Sequence, residues 1–168
     1  MKNVIAITGA SGFIGRRLLI ALADKLEPSH FFCLVEERFK HNLSQFIEEN
    51  QSLLSKHRFE VVSCDITKSN LELKEPDLKN IKENTTSFIH LAAIYDLSVS
   101  DDLANLINIE GTRNVLELIK SCSKKTDLFY FSTCYVAGNW KGTFKESDLD
   151  LGQNFKNQRS EERRVGKE

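Results

Sequence analysis

The sequence lacks the features that would place it in a membrane, in a secretory route or on a charged polymer. It holds no run of about 18 apolar residues, so a transmembrane helix is not expected. The opening segment Met1–Gly9 passes from one lysine into a short apolar run. It shows neither the long hydrophobic region nor the small-residue cleavage site of a leader, and secretion is not expected. Charge of neither sign prevails: 23 basic residues against 24 acidic ones leave a formal charge of −1. That balance supplies no net field for nucleic acid or an anionic membrane, and neither is expected as a partner. The balance leaves room for a small neutral or anionic ligand. The four cysteines, Cys33, Cys64, Cys122 and Cys134, fall singly. Without the paired spacing of a zinc site or a disulfide framework, they predict no metal and read as reduced, mostly buried thiols of a cytoplasmic protein. Internal repeats and low-complexity tracts are missing too.

What is present suits one domain with a real core: 168 residues, 40% of them hydrophobic. Apolar runs of strand length alternate with longer segments of helical period, the signature of a parallel sheet with crossover helices. The strand candidates are Asn3–Ile7, Phe31–Val35, Phe59–Ser63, Ser87–Leu91 and Leu128–Ser132, each compact enough for burial on both faces. Helical stripes run over Phe13–Lys25 (Ile14, Leu18, Leu19, Leu22), Lys40–Lys56 (Leu43, Phe46, Ile47, Leu54) and Asp101–Cys122 (Leu103, Leu106, Ile107, Val115, Leu118, Ile119). Thr67–Thr86, with Pro76, reads as a connection holding one short helix. Right-handed crossovers then predict a doubly wound α/β sheet of strand order 3-2-1-4-5, with ligands beyond the carboxyl ends of strands one and four.

The chemistry-bearing motifs fall at those ends. Thr8-Gly9-Ala10-Ser11-Gly12-Phe13-Ile14-Gly15 follows the first strand and opens a helix. In such a turn Gly9 allows the tight bend, Gly12 lets a pyrophosphate approach the backbone, and Gly15 permits close helix packing. The free N–H groups of the helix start, around Ser11, Phe13 and Ile14, then face the phosphates of a dinucleotide. Glu36 stands where an acid meets the adenosine ribose hydroxyls, which favours NAD; Arg38 suits a 2′-phosphate, which favours NADP, so both cofactors stay open. Asp65 and Ile66 offer an amide hydrogen bond and an apolar wall to adenine. In His90-Leu91-Ala92-Ala93 small side chains leave room for the cofactor beside the glycine turn, with Leu91, Ala92 and Ala93 as its contacts, and His90 is assigned no chemistry. Ser132 to Gly138 brings hydroxyls to the rim of the crevice.

Taken together, these pieces, with Asn108-Ile109-Glu110-Gly111-Thr112-Arg113-Asn114-Val115 and Cys64-Asp65-Ile66, resemble the extended short-chain dehydrogenase/reductase family over about residues 2 to 158. Cys33-Leu34-Val35, Ser132–Gly138 and Gly152-Gln153-Asn154-Phe155-Lys156-Asn157 look most like its fatty acyl-CoA reductase and thioester reductase branch. That branch commonly has arginine after Cys-Leu-Val, where this chain has Glu36, a departure that counts against the branch's usual NADPH. The resemblance implies a Rossmann domain lacking its C-terminal strands and substrate segment. It also implies hydride transfer to or from a carbonyl or thioester, with Thr133 bonding the substrate oxygen and Asn108 supporting the site. A nucleotide-sugar epimerase or dehydratase and a non-catalytic NAD(P)-binding protein are the alternatives.

The resemblance further implies a proton-donating tyrosine near position 159 and a lysine near 163, where the chain has Arg159 and Arg163. Residues Arg159–Glu168 match, in order, the in-frame translation of a common sequencing adapter. They are set apart as a tail to an incomplete domain of residues 1–158, which is expected to be inactive by itself; a homodimer is possible for a full-length parent.

Overall fold

The computed structural model describes residues 3–95, 99–148 and 150–154, the side chains of Cys134 and Tyr135 excepted. Five parallel strands form one open sheet: β1 (Val4–Thr8), β2 (His30–Val35), β3 (Arg58–Ser63), β4 (Ser87–His90) and β5 (Asp127–Tyr130). Their spatial order is β3-β2-β1-β4-β5, the doubly wound order expected from the sequence. Ile7 pairs with Cys33 on one side and Ile89 on the other, so β1 is the centre of the sheet.

Alternation along the strands separates two apolar layers. Ile5, Ile7, Phe31, Cys33 and Ile89 pack with Leu19 of α1 (Phe13–Lys25) and Leu43 of α2 (Glu37–Glu49). Ala6, Phe32, Leu34 and Phe88 point the other way, onto Leu78 and Ile81 of α4 (Glu75–Asn84) and Val115 and Leu118 of α6 (Gly111–Lys120). Each central strand is covered on both faces, which is why these runs contain almost no polar residue.

Four details differ from the sequence expectation. The helix expected over Lys40–Lys56 begins earlier, at Glu37, and breaks at Asn50 before the short α3 (Gln51–Leu54). Asn50 donates its side-chain amide to the Phe46 carbonyl at 2.8 Å, ending the helix with a local bond that competes with the helical ladder. Pro76, taken as a mark of irregularity, instead lies in the first turn of α4, where a missing N–H has no partner to lose. The long helix Asp101–Cys122 is α5 (Asp101–Asn105) and α6 joined by a π-helical turn, Leu106–Glu110. One extra residue in that turn rotates the apolar stripe by about 100°. Leu103 and Leu106 are therefore 41% and 42% exposed while Val115 and Leu118 enter the core. Finally, the run Leu128–Ser132, compact enough for burial on both faces, forms the edge strand β5, which ends at Tyr130, with Phe129 and the following Phe131 exposed.

Candidate functional site

The site grows from the bend between β1 and α1. Gly9 takes φ +74°, and a Cβ there would lie 2.8 Å from the Ala92 nitrogen. A Cβ on Gly15 would overlap the Gly9 carbonyl oxygen and come within 2.7 Å of Ala10 Cα. These two glycines serve the close packing of the turn against β4 and α1. Gly12 is different: its Cβ would meet only the Gly9 oxygen, at 3.3 Å, and would otherwise project into open space. The start of α1 has no side-chain cap and no acid in its first turn. Its outward N–H groups and positive dipole end are thus available to an anion. Arg16 steadies the loop by donating Nε to the Ser11 carbonyl at 2.9 Å. Phe13 and Ile14 are exposed beside it, Ile14 facing the groove instead of the sheet as its stripe suggested.

A groove of about 1860 Å³ runs from this bend along the carboxyl ends of the strands. Its walls contain Gly9, Ser11, Gly12, Phe13, Ile14, Gly15, Glu36, Arg38, Asp65, Ile66, Leu91, Ala92 and Ala93. Every residue assigned to a cofactor from the sequence therefore lies on one surface. On the β2 side Glu36 precedes α2 and pairs with Arg38, Nε to Oε2 at 2.8 Å. At the end of β3 the Asp65 carboxylate accepts from the Thr67 amide at 2.9 Å and from its hydroxyl at 2.7 Å. Ile66 is held by α6: Asn114 donates to its carbonyl at 2.8 Å, and a Cβ on Gly111 would come within 2.9 Å of its side chain. The glycine of the Asn108–Val115 motif thus makes room for the Ile66 side chain.

The two residues assigned to catalysis sit elsewhere. Asn108 is 1% exposed in the π-helical turn, below the groove floor. Its Oδ1 accepts from the Ile94 N–H and its Nδ2 donates to the Ile94 carbonyl, both at 2.9 Å. Thr133 follows the groove-lining Ser132 and is half-buried past the end of β5. Gln153 is buried and donates to the Val136 carbonyl at 3.1 Å, which folds the 150–154 segment back on the turn after β5. The Tyr135 side chain, Phe155-Lys156-Asn157, Arg159, Arg163 and the tail 159–168 lie outside the described residues.

Sequence reasoning missed the apolar far wall of the groove, Ile94, Tyr95, Leu103, Leu106 and Ile107. His90, assigned no chemistry from the sequence, is 1% exposed and hydrogen-bonded on both ring nitrogens. The partners, Thr8 and Thr112, are 82 and 22 residues away along the chain, and no local pattern signals them. Burial pushes the Cys33 and Cys64 thiols up to about 12, so neither is a nucleophile at neutral pH. Among the described residues no His, Cys, Asp and Glu cluster suits a metal, and no helix is long and apolar enough to cross a membrane.

The glycine bend, the acid at the end of β2 and the groove across the switch point between β1 and β4 define a dinucleotide-binding domain of the Rossmann class. Residues 7–166 match the NAD-binding family described as male sterility protein, and the chain belongs to that family, in the thioester reductase-like branch of the extended short-chain dehydrogenase/reductases. The family binds NAD(P). The chain is similar to fatty acyl-CoA reductase 1 of Arabidopsis thaliana, 27% identical over 179 residues that take in 94% of this chain and 36% of that protein. It is also similar to the alcohol-forming fatty acyl-CoA reductase of Simmondsia chinensis, 26% identical over 81% of this chain and 26% of that protein. In fold it is similar to the terminal R domain from the myxalamid PKS-NRPS pathway, with TM-score 0.79 and 24% identity over 98% of this chain and 43% of that one. The chain spans about a third or less of the two curated reductases' length.

Proposed function

We propose that this chain is the NAD(P)-holding part of an oxidoreductase that moves hydride between NAD(P)H and a carbonyl or thioester of a small molecule. The observation that carries the reading is the open cradle over Gly12 at an uncapped helix start. A diphosphate fills the space left by the missing Gly12 side chain, taking hydrogen bonds from the first-turn amides. Ser11, Phe13 and Ile14 flank it, and Gly9 and Gly15 hold its shape. Glu36 accepts from the ribose hydroxyls, with Arg38 beside it; Asp65 and Ile66 border adenine. Leu91, Ala92 and Ala93 form the floor on the nicotinamide side. The bound dinucleotide supplies the hydride.

Around that hydride the chain's own groups orient the substrate. The Thr133 hydroxyl bonds the substrate oxygen, and Asn108 acts from below by fixing Ile94. Membership in the reductase branch supports the carbonyl or thioester as acceptor. Arg159 and Arg163 occupy the positions at which the resemblance calls for tyrosine and lysine. Residues 1–158 are accordingly read as the domain and 159–168 as a tail, with no turnover assigned to this chain alone. The test is titration of the 168-residue chain with NADH and NADPH, followed by cofactor fluorescence, with an acyl-CoA-dependent oxidation assay in parallel. Saturable binding without turnover is expected. No binding of either dinucleotide refutes the cofactor site, and turnover at the rate of a complete reductase refutes the assignment of the tail.

A further inference from the structure

Under the groove floor lies a set of buried polar side chains that the cofactor reading does not use. Thr8 closes β1, His90 closes β4, and Asn108 and Thr112 come from the helix beneath them; all four are at most 2% exposed. The Thr8 hydroxyl is 2.7 Å from His90 Nδ1, and His90 Nε2 is 3.1 Å from the Thr112 hydroxyl. Thr112 in turn donates its hydroxyl to the Asn108 backbone carbonyl at 2.7 Å.

That last bond sets the direction of the others. A carbonyl has no proton to give, so the single hydroxyl proton of Thr112 is committed to Asn108. Thr112 must then accept from His90, which puts a proton on Nε2; with the ring neutral, Nδ1 is the acceptor for Thr8. The Thr8 oxygen accepts in its turn from the Ala92 amide at 3.4 Å. At the other end, the Asn108 side chain holds both polar groups of Ile94 at 2.9 Å. Ala92 and Ile94 both line the groove. The chain of bonds therefore starts and finishes on the groove floor, 82 residues of sequence being bridged by the Thr8–His90 contact. The His90 ring also stacks on Tyr130, centroids 5.3 Å apart and planes at 15°.

We infer that His90, as a neutral imidazole protonated on Nε2, is a positioning residue that holds the backbone of Ala92 and Ile94 and so shapes the nicotinamide side of the groove. Its role as a support for ligand binding rests on the cofactor reading above; the tautomer and the backbone restraint do not. A buried network satisfied at every step specifies one arrangement, whereas removing one member leaves the others unpaired.

Two variants separate hydrogen bonding from packing. His90→Phe keeps a ring to stack on Tyr130 but can neither accept from Thr8 nor donate to Thr112. His90→Gln keeps one acceptor and one donor at nearly the imidazole spacing. Amide hydrogen exchange in the 168-residue chain should quicken about tenfold at Ala92 and Ile94 in His90→Phe, while Ala6 and Phe32 in the sheet centre keep their protection. NADH affinity should fall by about tenfold in the same variant, and His90→Gln should restore both within about threefold. Nitrogen-15 shifts of the wild-type imidazole should place the proton on Nε2. Unchanged exchange at Ala92 and Ile94 in a folded His90→Phe chain, or a proton on Nδ1, overturns the inference. If His90→Phe loses its cooperative melt, the wild-type tautomer and the exchange pattern of His90→Gln decide in its place. Absence of NADH binding by the wild-type chain, with the tautomer and exchange as expected, refutes the cofactor reading and supports the backbone restraint.

Discussion

The Arg38 guanidinium grips both oxygens of the Glu36 carboxylate, Nε to Oε2 at 2.8 Å and Nη2 to Oε1 at 3.2 Å. The residue suited to a 2′-phosphate is thus engaged by the residue suited to a free ribose. On the proposed placement of the cofactor, a 2′-phosphate arriving there would have to displace the carboxylate and lie beside its charge, which predicts a preference for NADH. Both side chains are more than half exposed, so water screens the effect and the preference is modest. Glu36→Gln should raise NADPH affinity about fivefold and leave NADH affinity within about threefold, as read by fluorescence titration. A fall in NADPH affinity would contradict this account of the pair.

Two glycines of the bend, Gly12 and Gly15, should separate by experiment. Gly12→Val places its side chain in the cradle and touches no packed neighbour but the Gly9 oxygen. Its unfolding midpoint should stay near wild type while dinucleotide binding falls below detection. Gly15→Ala drives a methyl into the Gly9 carbonyl and Ala10. Overpacking of that kind costs about 1–3 kcal/mol and should appear in urea unfolding with or without ligand.

Asn108 offers a stability test independent of any ligand. Replacing it with alanine leaves the Ile94 N–H and carbonyl without the two side-chain bonds seen here. A loss of about 2–3 kcal/mol is expected in chemical denaturation, the order of magnitude for stranding two partly buried polar groups. Retention of wild-type stability would show that solvent replaces Asn108 without cost.

The raised thiols give a pH dependence with a definite sign. Cys33 and Cys64 have ordinary values of 9.0 and folded values of about 12, raised chiefly by burial. Folding therefore favours the protonated thiols: their contribution is complete below pH 9.0 and is lost between there and about pH 12, as the unfolded chain releases protons first. Urea midpoints should decline from pH 8.5 to 10.5, and Cys64→Ala should flatten part of that decline. In the native chain at pH 8, alkylation should spare both thiols and proceed at the half-buried Cys122. Rapid native labelling of Cys33 would contradict its burial.

What the sequence determined by itself was everything carried by short-range pattern. Two-sided apolar runs such as Phe31–Val35 specified buried parallel strands, and their alternation with helical stripes specified the winding. The spacing of Gly9, Gly12 and Gly15 placed the bend, because a tight turn and a close backbone approach each demand a missing side chain locally. Helix ends were less legible at Asn50 and Pro76, where a single residue's bonding or lack of it decides the boundary. Only the tertiary structure decided the rest. It rotated the stripe of the long helix at the π-helical turn, sending Leu103 and Leu106 to the groove. It tied Arg38 to Glu36, and it gave His90 two partners by bringing Thr8 and Thr112 against its ring. Hydrogen-bond direction and burial depend on atoms from distant segments meeting at angstrom precision, and a one-dimensional pattern contains the periodicity of each segment but not the place where two of them touch.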